Sequence, residues 1–294
     1  MTFVEEDYLI GVDLGGTKVA AGLLKGNDIL VQRHRLLPLE NITAEKITQT
    51  LIDVIGDVLN ENAKCIGIGI PSLVNRDNGV VDEVQNIPTW RNIHVKNILE
   101  KQFGIPVYLD NDANCFALGE YRFGRHASNV KSFVGLTIGT GMGAGIINRG
   151  YLLSDAHCGS GEFGSIQYLD GILEDYCSGK FFQKYYDEAG KIMAEQAKAG
   201  NPSALKAFDE FGKHLGNAVK TILFTVDPSM IVIGGSVAKS HTYFEEAMWE
   251  QIRSFPYARV VDDLRLKFTR NSRNAILGAA SLYYDRKGII RSPI

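Results

Sequence analysis

Two segments of this chain share one layout: an apolar run ends in a glycine turn and resumes as a second apolar run. The first is Leu9-Ile-Gly-Val-Asp-Leu-Gly-Gly-Thr-Lys-Val-Ala-Ala-Gly-Leu-Leu24, which carries Asp13 into the turn. The second, Phe133-Val-Gly-Leu-Thr-Ile-Gly-Thr-Gly-Met-Gly-Ala-Gly-Ile-Ile147, puts Gly135 at the place of Gly11, Thr137 at that of Asp13 and Gly139 at that of Gly15. An internal repeat of this kind implies two similar halves, each an α/β unit built around its own hairpin. Glycine permits positive φ and lets backbone N–H groups approach a ligand that a Cβ would block, Thr17 and Lys18 add donors, and Asp13 can reach a cation directly or through water. These are the parts of a site for a metal-bound phosphate. Taken alone, the same residues also make an ordinary tight hairpin with Asp13 as a turn residue; the second copy favours phosphate, with nucleotide between the halves.

At 294 residues the chain has room for two domains with full cores or for one large α/β domain. A net charge of −3 leaves no basic footprint for nucleic acid or an anionic membrane surface. No run is long enough to span a bilayer, and Thr2-Phe-Val-Glu-Glu-Asp-Tyr8 lacks the basic start and apolar core of a signal peptide. Cys65, Cys115, Cys158 and Cys177 are scattered without a Cys-x-x-Cys pair, which favours a reducing cytoplasm.

Three apolar runs separated by turn chemistry open the chain, Tyr8 to Val12, Val19 to Leu24 and Ile29 to Leu37, and read as an antiparallel meander. Ile47, Leu51, Ile55, Val58 and Leu59 recur at helical spacing between Thr43 and Leu59. Cys65 to Pro71 reads as a buried parallel strand, His94 to Phe103 as a helix stopped at Gly104, and Val107 to Leu109 as a strand that delivers Asp110-Asn111-Asp112 to its carboxyl end. Three strands, helix, strand, helix, strand, helix is the order of a ribonuclease-H-like half. The second half repeats it loosely: two strands across Lys131 to Asn148, helices over Ser178 to Ala199 and Ser203 to Thr225, the latter introduced by Asn201-Pro202, a strand over Met230 to Gly235 and a last helix over Asn274 to Tyr284. Gly, His, Ser and Asn cluster between Gly124 and Asn129, placing the break between an N-terminal domain, 1–126, and a C-terminal domain, 127–294.

Leu109-Asp-Asn-Asp-Ala113 sets three polar side chains where a parallel strand meets the next helix, the end of an open α/β sheet at which ligands bind. Asp112 there can accept the proton of an attacking hydroxyl, and Asn111 can hold that hydroxyl or the next one round a ring. Equally, Asp110, Asn111 or Asp112 can serve as the N-cap of the helix through Phe116 and Glu120. Gly139 to Gly145 leads into a strand and a turn rather than a helix, and no Gly-x-x-x-x-Gly-Lys-Ser/Thr occurs, so neither a dinucleotide fold nor a P-loop is expected.

Asp13-Leu-Gly-Gly-Thr-Lys18, Asn111-Asp-Ala-Asn114, Leu136-Thr-Ile-Gly-Thr-Gly-Met-Gly-Ala144, Gly161-Glu-Phe-Gly164 and Ile233-Gly-Gly235 fall in an order and at a spacing that resemble the ROK family over essentially the whole chain. That family comprises bacterial-type sugar kinases and related repressors in the actin-like, hexokinase-like ATPase superfamily. The resemblance implies an α/β fold of two ribonuclease-H-like domains with an interdomain cleft. The N-terminal domain would carry the sugar site and the first phosphate segment, the C-terminal domain the second phosphate and adenosine segments, and the last helix would pack back on the N-terminal domain.

By the same resemblance, Asp13, Gly15, Gly16, Thr17 and Lys18 form the first phosphate segment, with Asp13 near magnesium, and Gly139, Thr140 and Gly141 form the second. Gly234 and Gly235 lie against adenosine, Asp112 takes the place of the catalytic base, and Asn86, Asn111, Asp112, Glu162 and Glu174 contact sugar hydroxyls. The implied activity is ATP- and Mg2+-dependent phosphorylation of the primary (C6) hydroxyl of a free hexose such as glucose or an N-acylhexosamine, in a homodimer. Phosphoryl transfer asks a protein mainly to align the nucleophile, screen the phosphates and place a cation, which these parts supply.

The departures from the family pattern carry their own expectations. Many members follow the Gly-Glu-x-Gly segment with a histidine and a group of cysteines that bind structural zinc. Here Ser165 replaces the histidine, Ile166 to Leu173 holds no cysteine, and Cys177 lacks partners at ligand spacing, so no zinc is expected. That histidine usually helps orient the sugar, so its loss leaves the identity of the sugar open, and His157 reads as an exposed loop residue. A catalytically silent sugar-binding protein on the same fold is the competing expectation, favoured by Ser165 and opposed by the intact Asp13 and Asp112. The repressors carry a helix-turn-helix domain ahead of the first phosphate segment; twelve residues before Asp13 are too few for one, so nucleic acid is not an expected partner.

Overall fold

A computed structural model describes residues 7–38, 43–84, 87–125, 130–156, 158–271 and 273–289. By its internal packing the chain forms two units, the first from Met1–Asn129, Gly145–Ser160 and Arg273–Ile294, the second from Val130–Ala144 and Gly161–Ser272. In chain order the first unit opens with the meander β1 (Tyr8–Leu14), β2 (Lys18–Lys25) and β3 (Asp28–Leu36), then α1 (Ala44–Gly56) and β4 (Ala63–Ile70). A small antiparallel sheet follows, β5 (Ser72–Asn75), β6 (Val80–Val84) and β7 (Ile87–Ile93), and then α2 (Val95–Phe103), β8 (Val107–Asn111) and α3 (Asp112–Phe123). Strand β9 (Ser132–Ile138) opens the second unit, and β10 (Met142–Asn148) carries the chain back into the first, where it pairs with β11 (Tyr151–Leu152). The second unit continues with β12 (Gln167–Tyr168), β13 (Gly171–Ile172), α4 (Leu173–Cys177), α5 (Lys180–Tyr186), α6 (Gly190–Lys198), α7 (Pro202–Val226), β14 (Met230–Gly234), α8 (Glu245–Arg253), α9 (Ala258–Asp263) and β15 (Arg265–Phe268). The last helix, α10 (Asn274–Arg286), belongs to the first unit.

Strand β1 reads as a continuous apolar run because it is covered on both faces. The main sheet of the first unit has the order β3-β2-β1-β4-β8, with β4 parallel to both β1 and β8. On one face Ile10, Val12 and Leu14, together with Ile66, Ile68 and Ile70, pack with Ile47, Leu51, Val54 and Ile55 of α1. On the other, Leu9 and Cys65 meet Ile276, Leu277, Ala280 and Tyr284 of α10. The glycines of the two strands lie on this second face. The carbonyl oxygens of Ile276 and Ala279 sit where a Cβ on Gly11 or Gly67 would be, so α10 rests directly on the sheet. A Cβ on Gly69 would lie 3.4 Å from the Asp112 Cα and 3.2 Å from the Cys115 Cβ, so the first turn of α3 approaches the same bare strand.

Helix boundaries follow local chemistry where that chemistry is strong. Thr43 caps α1 by accepting from the Lys46 N–H at 3.3 Å, Gly104 ends α2 at a φ of 71°, and Asn201 caps α7 ahead of Pro202. The single helix expected over Ser178 to Ala199 is two, because Asp187 turns left-handed at a φ of 53° and its N–H closes on the Phe182 carbonyl. Strands β5 to β7 fill a stretch to which the sequence assigned no element.

In the second unit β14 runs parallel to β9 and to β15. The short hairpin of β12 and β13 pairs Gln167 with Ile172, and its base closes where the Leu173 N–H donates to the Ile166 carbonyl at 2.9 Å. The hairpin is tied to α7 through Tyr168, whose hydroxyl accepts from Asn217 Nδ2 at 3.0 Å and lies 3.1 Å from His214 Nδ1. Burial pulls the His214 imidazole below its ordinary pKa, against a weaker upward pull from Glu210.

Substituting Gly67 by Ala forces a Cβ into the Ala279 carbonyl and is expected to cost about 1–3 kcal/mol in a urea unfolding titration. Gly56→Ala, where a Cβ meets nothing, is expected to be neutral or mildly stabilising. Equal midpoints for the two variants would contradict the packing described. For His214, the unfolded chain protonates first as pH falls below about 6.5, so the stability supplied by its neutral folded form is present above that pH and declines below it. His214→Gln should flatten this acid-side slope between pH 7 and 5; an unchanged slope would remove His214 from the account.

Candidate active site

Strand register assembles the polar groups of the first unit. Asp13 of β1 lies beside Gly69 of β4, and Gly69 beside Asp110 of β8, so the carboxyl ends of these strands set Asp13 in one row with the β8–α3 junction. Asn111 is the N-cap of α3: its Oδ1 accepts from the Ala113 N–H at 2.8 Å, and its Nδ2 donates to the Ser72 carbonyl at 3.3 Å. Asp112 is the first residue of the helix, and its Oδ1 accepts from the same Ala113 N–H at 2.9 Å. The cap and the candidate site therefore coincide, since the geometry that starts the helix also fixes how Asp112 is presented. Burial pushes the Asp13 carboxyl above its usual range, and the Lys18 charge draws it partly back.

The two glycine turns are hairpin turns, closed from Gly15 N–H to the Lys18 carbonyl at 2.9 Å and from Gly139 N–H to the Gly141 carbonyl at 2.9 Å. Positive φ, the freedom expected of their glycines, is not used: Gly15, Gly16, Gly139 and Gly141 all have ordinary φ values. What glycine supplies at two of these positions is space. A Cβ on Gly15 would come no nearer than 3.4 Å to any other group, the Lys18 carbonyl, and one on Gly139 no nearer than 3.5 Å, to Ser236 Oγ. At Gly141 packing decides, since a Cβ there would press on Glu174 Oε2 at 2.6 Å. Gly235, at the end of β14, does need its freedom: its φ is 97°, and a Cβ would strike the Ile138 carbonyl.

Glu174 holds the second turn, its Oε2 accepting from the Met142 N–H at 2.8 Å and its Oε1 pairing with Lys180 Nζ at 2.5 Å. The Gly179 N–H donates to the Gly139 carbonyl at 2.7 Å. Partial desolvation, and then the charge of Glu174, raise the Glu162 carboxyl above its usual range. Gly139, Thr140 and Gly141 thus share one neighbourhood with Glu174 and, through Ser236, with Gly234 and Gly235, while Asp13, Asn111 and Asp112 share another in the first unit. Asn86 and His157 lie outside the described residues.

Sequence reasoning missed the partners of Asp110. This fully buried carboxylate receives Arg76 Nε at 2.9 Å and Nη2 at 3.1 Å, Arg286 Nη2 at 2.6 Å, Asn114 Nδ2 at 2.8 Å, the Cys158 thiol at 2.9 Å and the Asn111 N–H at 2.8 Å. Arg76 Nη1 also binds Asp155, whose oxygens accept from the Cys158 and Ser160 N–H groups at 3.1 and 2.8 Å. Burial, and then Asp110, push the Cys158 thiol up to about 12, so it stays neutral and donates. No local pattern flags Arg76 or Arg286, which reach Asp110 across 34 and 176 residues of chain.

The ROK family profile matches residues 9–286. A glucokinase of Thermotoga maritima is 29% identical, over 95% of this chain and 98% of that protein. An N-acetyl-D-glucosamine kinase of Yersinia pseudotuberculosis is 30% identical, over 80% and 86%. Among solved structures, a ROK family glucokinase from Streptomyces griseus in complex with glucose and AMPPNP superposes with a TM-score of 0.81 at 27% identity, covering 94% of this chain and 98% of that one. The architecture is that of the actin-like ATPases, and the chain belongs to the ROK family.

Proposed function

We propose that this protein is an ATP-dependent sugar kinase that transfers the γ-phosphoryl group of ATP to the primary (C6) hydroxyl of a free hexose such as glucose or an N-acylhexosamine, with Asp112 as general base. One observation carries the reading: the register that sets Asp13 and the Asn111–Asp112 pair at the same end of the parallel strands β1, β4 and β8. The similarity to a glucokinase and to an N-acetyl-D-glucosamine kinase supports both substrate classes. Asp112 takes the hydroxyl proton while the alcohol oxygen bonds to the γ-phosphorus, and the bond to the β–γ bridging oxygen breaks to release ADP. The space left bare at Gly15 and Gly139 lets phosphate oxygens approach the two turns, with Thr17, Lys18 and Thr140 exposed beside them. Gly234 and Gly235 are assigned to adenosine, and Asn111, Glu162 and Glu174 to sugar hydroxyls, together with Asn86.

Magnesium fits Asp13. The ion takes one or two carboxylates and completes its shell with phosphate oxygens and water, and a carboxyl raised by burial gains most from a cation beside it. When bound, it screens the charge of the phosphates. The reading extends to a cytoplasmic protein acting on small sugars without nucleic acid, in keeping with a net charge of −3 and four free, buried cysteines, and to a homodimer by family resemblance alone. Among the described residues no helix is long and apolar enough to cross a membrane.

Coupled measurement of ADP release across a panel of hexoses tests the reading. Asp112→Asn is expected to lower kcat by about 10²–10⁴-fold while the KM for ATP stays within about twofold. Turnover near wild type in that variant would remove Asp112 as the base, and sugar binding without turnover in the wild type would favour a silent sugar-binding protein. Gly15→Ala separates the cradle from the fold: its thermal midpoint should match the wild type, because the Cβ meets nothing tightly, while the KM for ATP rises by about tenfold. An unchanged KM would leave Gly15 without a ligand.

A further inference from the structure

Asp110 is a buried charge that the proposed chemistry does not use. Burying an ion pair is costly, and an apolar replacement of similar volume serves stability at least as well, so an arrangement of this kind calls for a role beyond holding the fold together. Its place is specific. Asp110 immediately precedes Asn111 and Asp112, and its Oδ1 accepts from the Asn111 N–H, so the orientation of this carboxylate is tied to the peptide that enters the pair.

Among the donors to Asp110, Arg76 makes the contact that reaches both carboxylate oxygens. Its Nε and Nη2 form a two-pronged grip on the Asp110 carboxylate, while Arg286 reaches Oδ2 alone. Asp155 in turn fixes the guanidinium through Nη1 and is itself held by two backbone N–H groups of the 158–160 segment. Ser72, four residues before Arg76 in the same β5–β6 segment, accepts from the Asn111 amide. One short piece of chain therefore grips both residues that lead into Asp112, and a rigid planar fork sets the angle of one grip. Asp110 and Asp155 balance Arg76 and Arg286, so the cluster adds no net charge beside the base.

We propose that Arg76 is a positioning residue for phosphoryl transfer, acting through Asp110 to hold Asn111 and Asp112 in the orientation from which the substrate hydroxyl is bound and deprotonated. This rests on the kinase reading above. A misplacement of about 1 Å in a reacting group costs on the order of 10²-fold in rate. A lysine keeps the charge but cannot form the two-pronged contact.

The test compares full-length wild type, Arg76→Lys and Arg76→Met in sugar-dependent ADP release, with the folded fraction measured by circular dichroism and kcat given per folded molecule. The expected result is a kcat lowered about tenfold in Arg76→Lys and about 10²-fold in Arg76→Met, with the KM for ATP within about twofold of wild type in both. The acid limb of the kcat–pH profile should move to higher pH in Arg76→Met, because loss of a cation disfavours the ionised base, and stay in place in Arg76→Lys. A purely structural role would lower the thermal midpoint and the folded fraction but leave kcat per folded molecule and the pH limb at wild-type values; that outcome overturns the proposal. If Arg76→Met does not fold, Arg76→Lys decides on kcat alone. Wild-type protein without sugar-dependent turnover overturns the kinase reading and this proposal together, whereas active wild type with unaffected variants overturns this proposal only.

Discussion

A side chain on Gly11 or Gly67 would occupy the place held by the backbone carbonyls of Ile276 and Ala279, and the first unit depends on that exclusion. Bare strands let a helix rest on the sheet at backbone distance, and α10 uses this to bring a segment from the far end of the chain into the core of the N-terminal sheet. The same device continues one step along β4. Gly69 admits the first turn of α3, so the Cα of Asp112 sits against the strand rather than a side-chain layer above it. Since interiors are close-packed and yield little, a strand bare at these positions fixes the height of the candidate base over the row that contains Asp13.

Within that row the carboxylates are treated in opposite ways. Asp110 is surrounded by donors that satisfy both oxygens, including two guanidinium groups. Asp13 is raised by burial, with the charge of Lys18 pulling against it. A paired carboxylate stabilises the geometry around it, whereas an under-compensated one is poised to gain from a cation that arrives with its ligand. In the function proposed above, the first acid organises the backbone and the second is the one assigned to a metal-bound phosphate.

How much of this was legible in the sequence depended on the range of the interaction. The meander, β4, β8, α2 and the Asn201-Pro202 start of α7 rest on local periodicity and capping, and they form where those signals point. The break between α5 and α6 turns on one residue, Asp187, adopting a left-handed backbone inside an otherwise helical stretch. Strands β5 to β7 are defined by pairing among neighbouring segments rather than by an apolar run. The glycine turns form where the sequence puts them, but space rather than positive φ is what Gly15 and Gly139 provide. The Asp110 cluster was out of reach because its arginines come from a turn and from the last helix, and nothing near either one announces a buried partner.

The segment between Glu162 and Glu174 links two residues proposed for sugar hydroxyls to the support of the second glycine turn. Its hairpin is tied through Tyr168 to His214 and Asn217 on α7, and its far end starts α4 with Glu174 in the first turn. Glu174 then props the second glycine turn by accepting from the Met142 N–H, and Gly179 closes on the Gly139 carbonyl from the next helix. A Cβ on Gly141 would press on the Glu174 carboxylate that supports the turn, whereas Gly139, two residues earlier, keeps its side-chain space open. A displacement of the hairpin would therefore move Glu174 and the turn together. Coupling the residue assigned to sugar hydroxyls with the turn assigned to phosphate through one carboxylate makes their relative placement a property of α4 and its hairpin, not of the turn's own sequence.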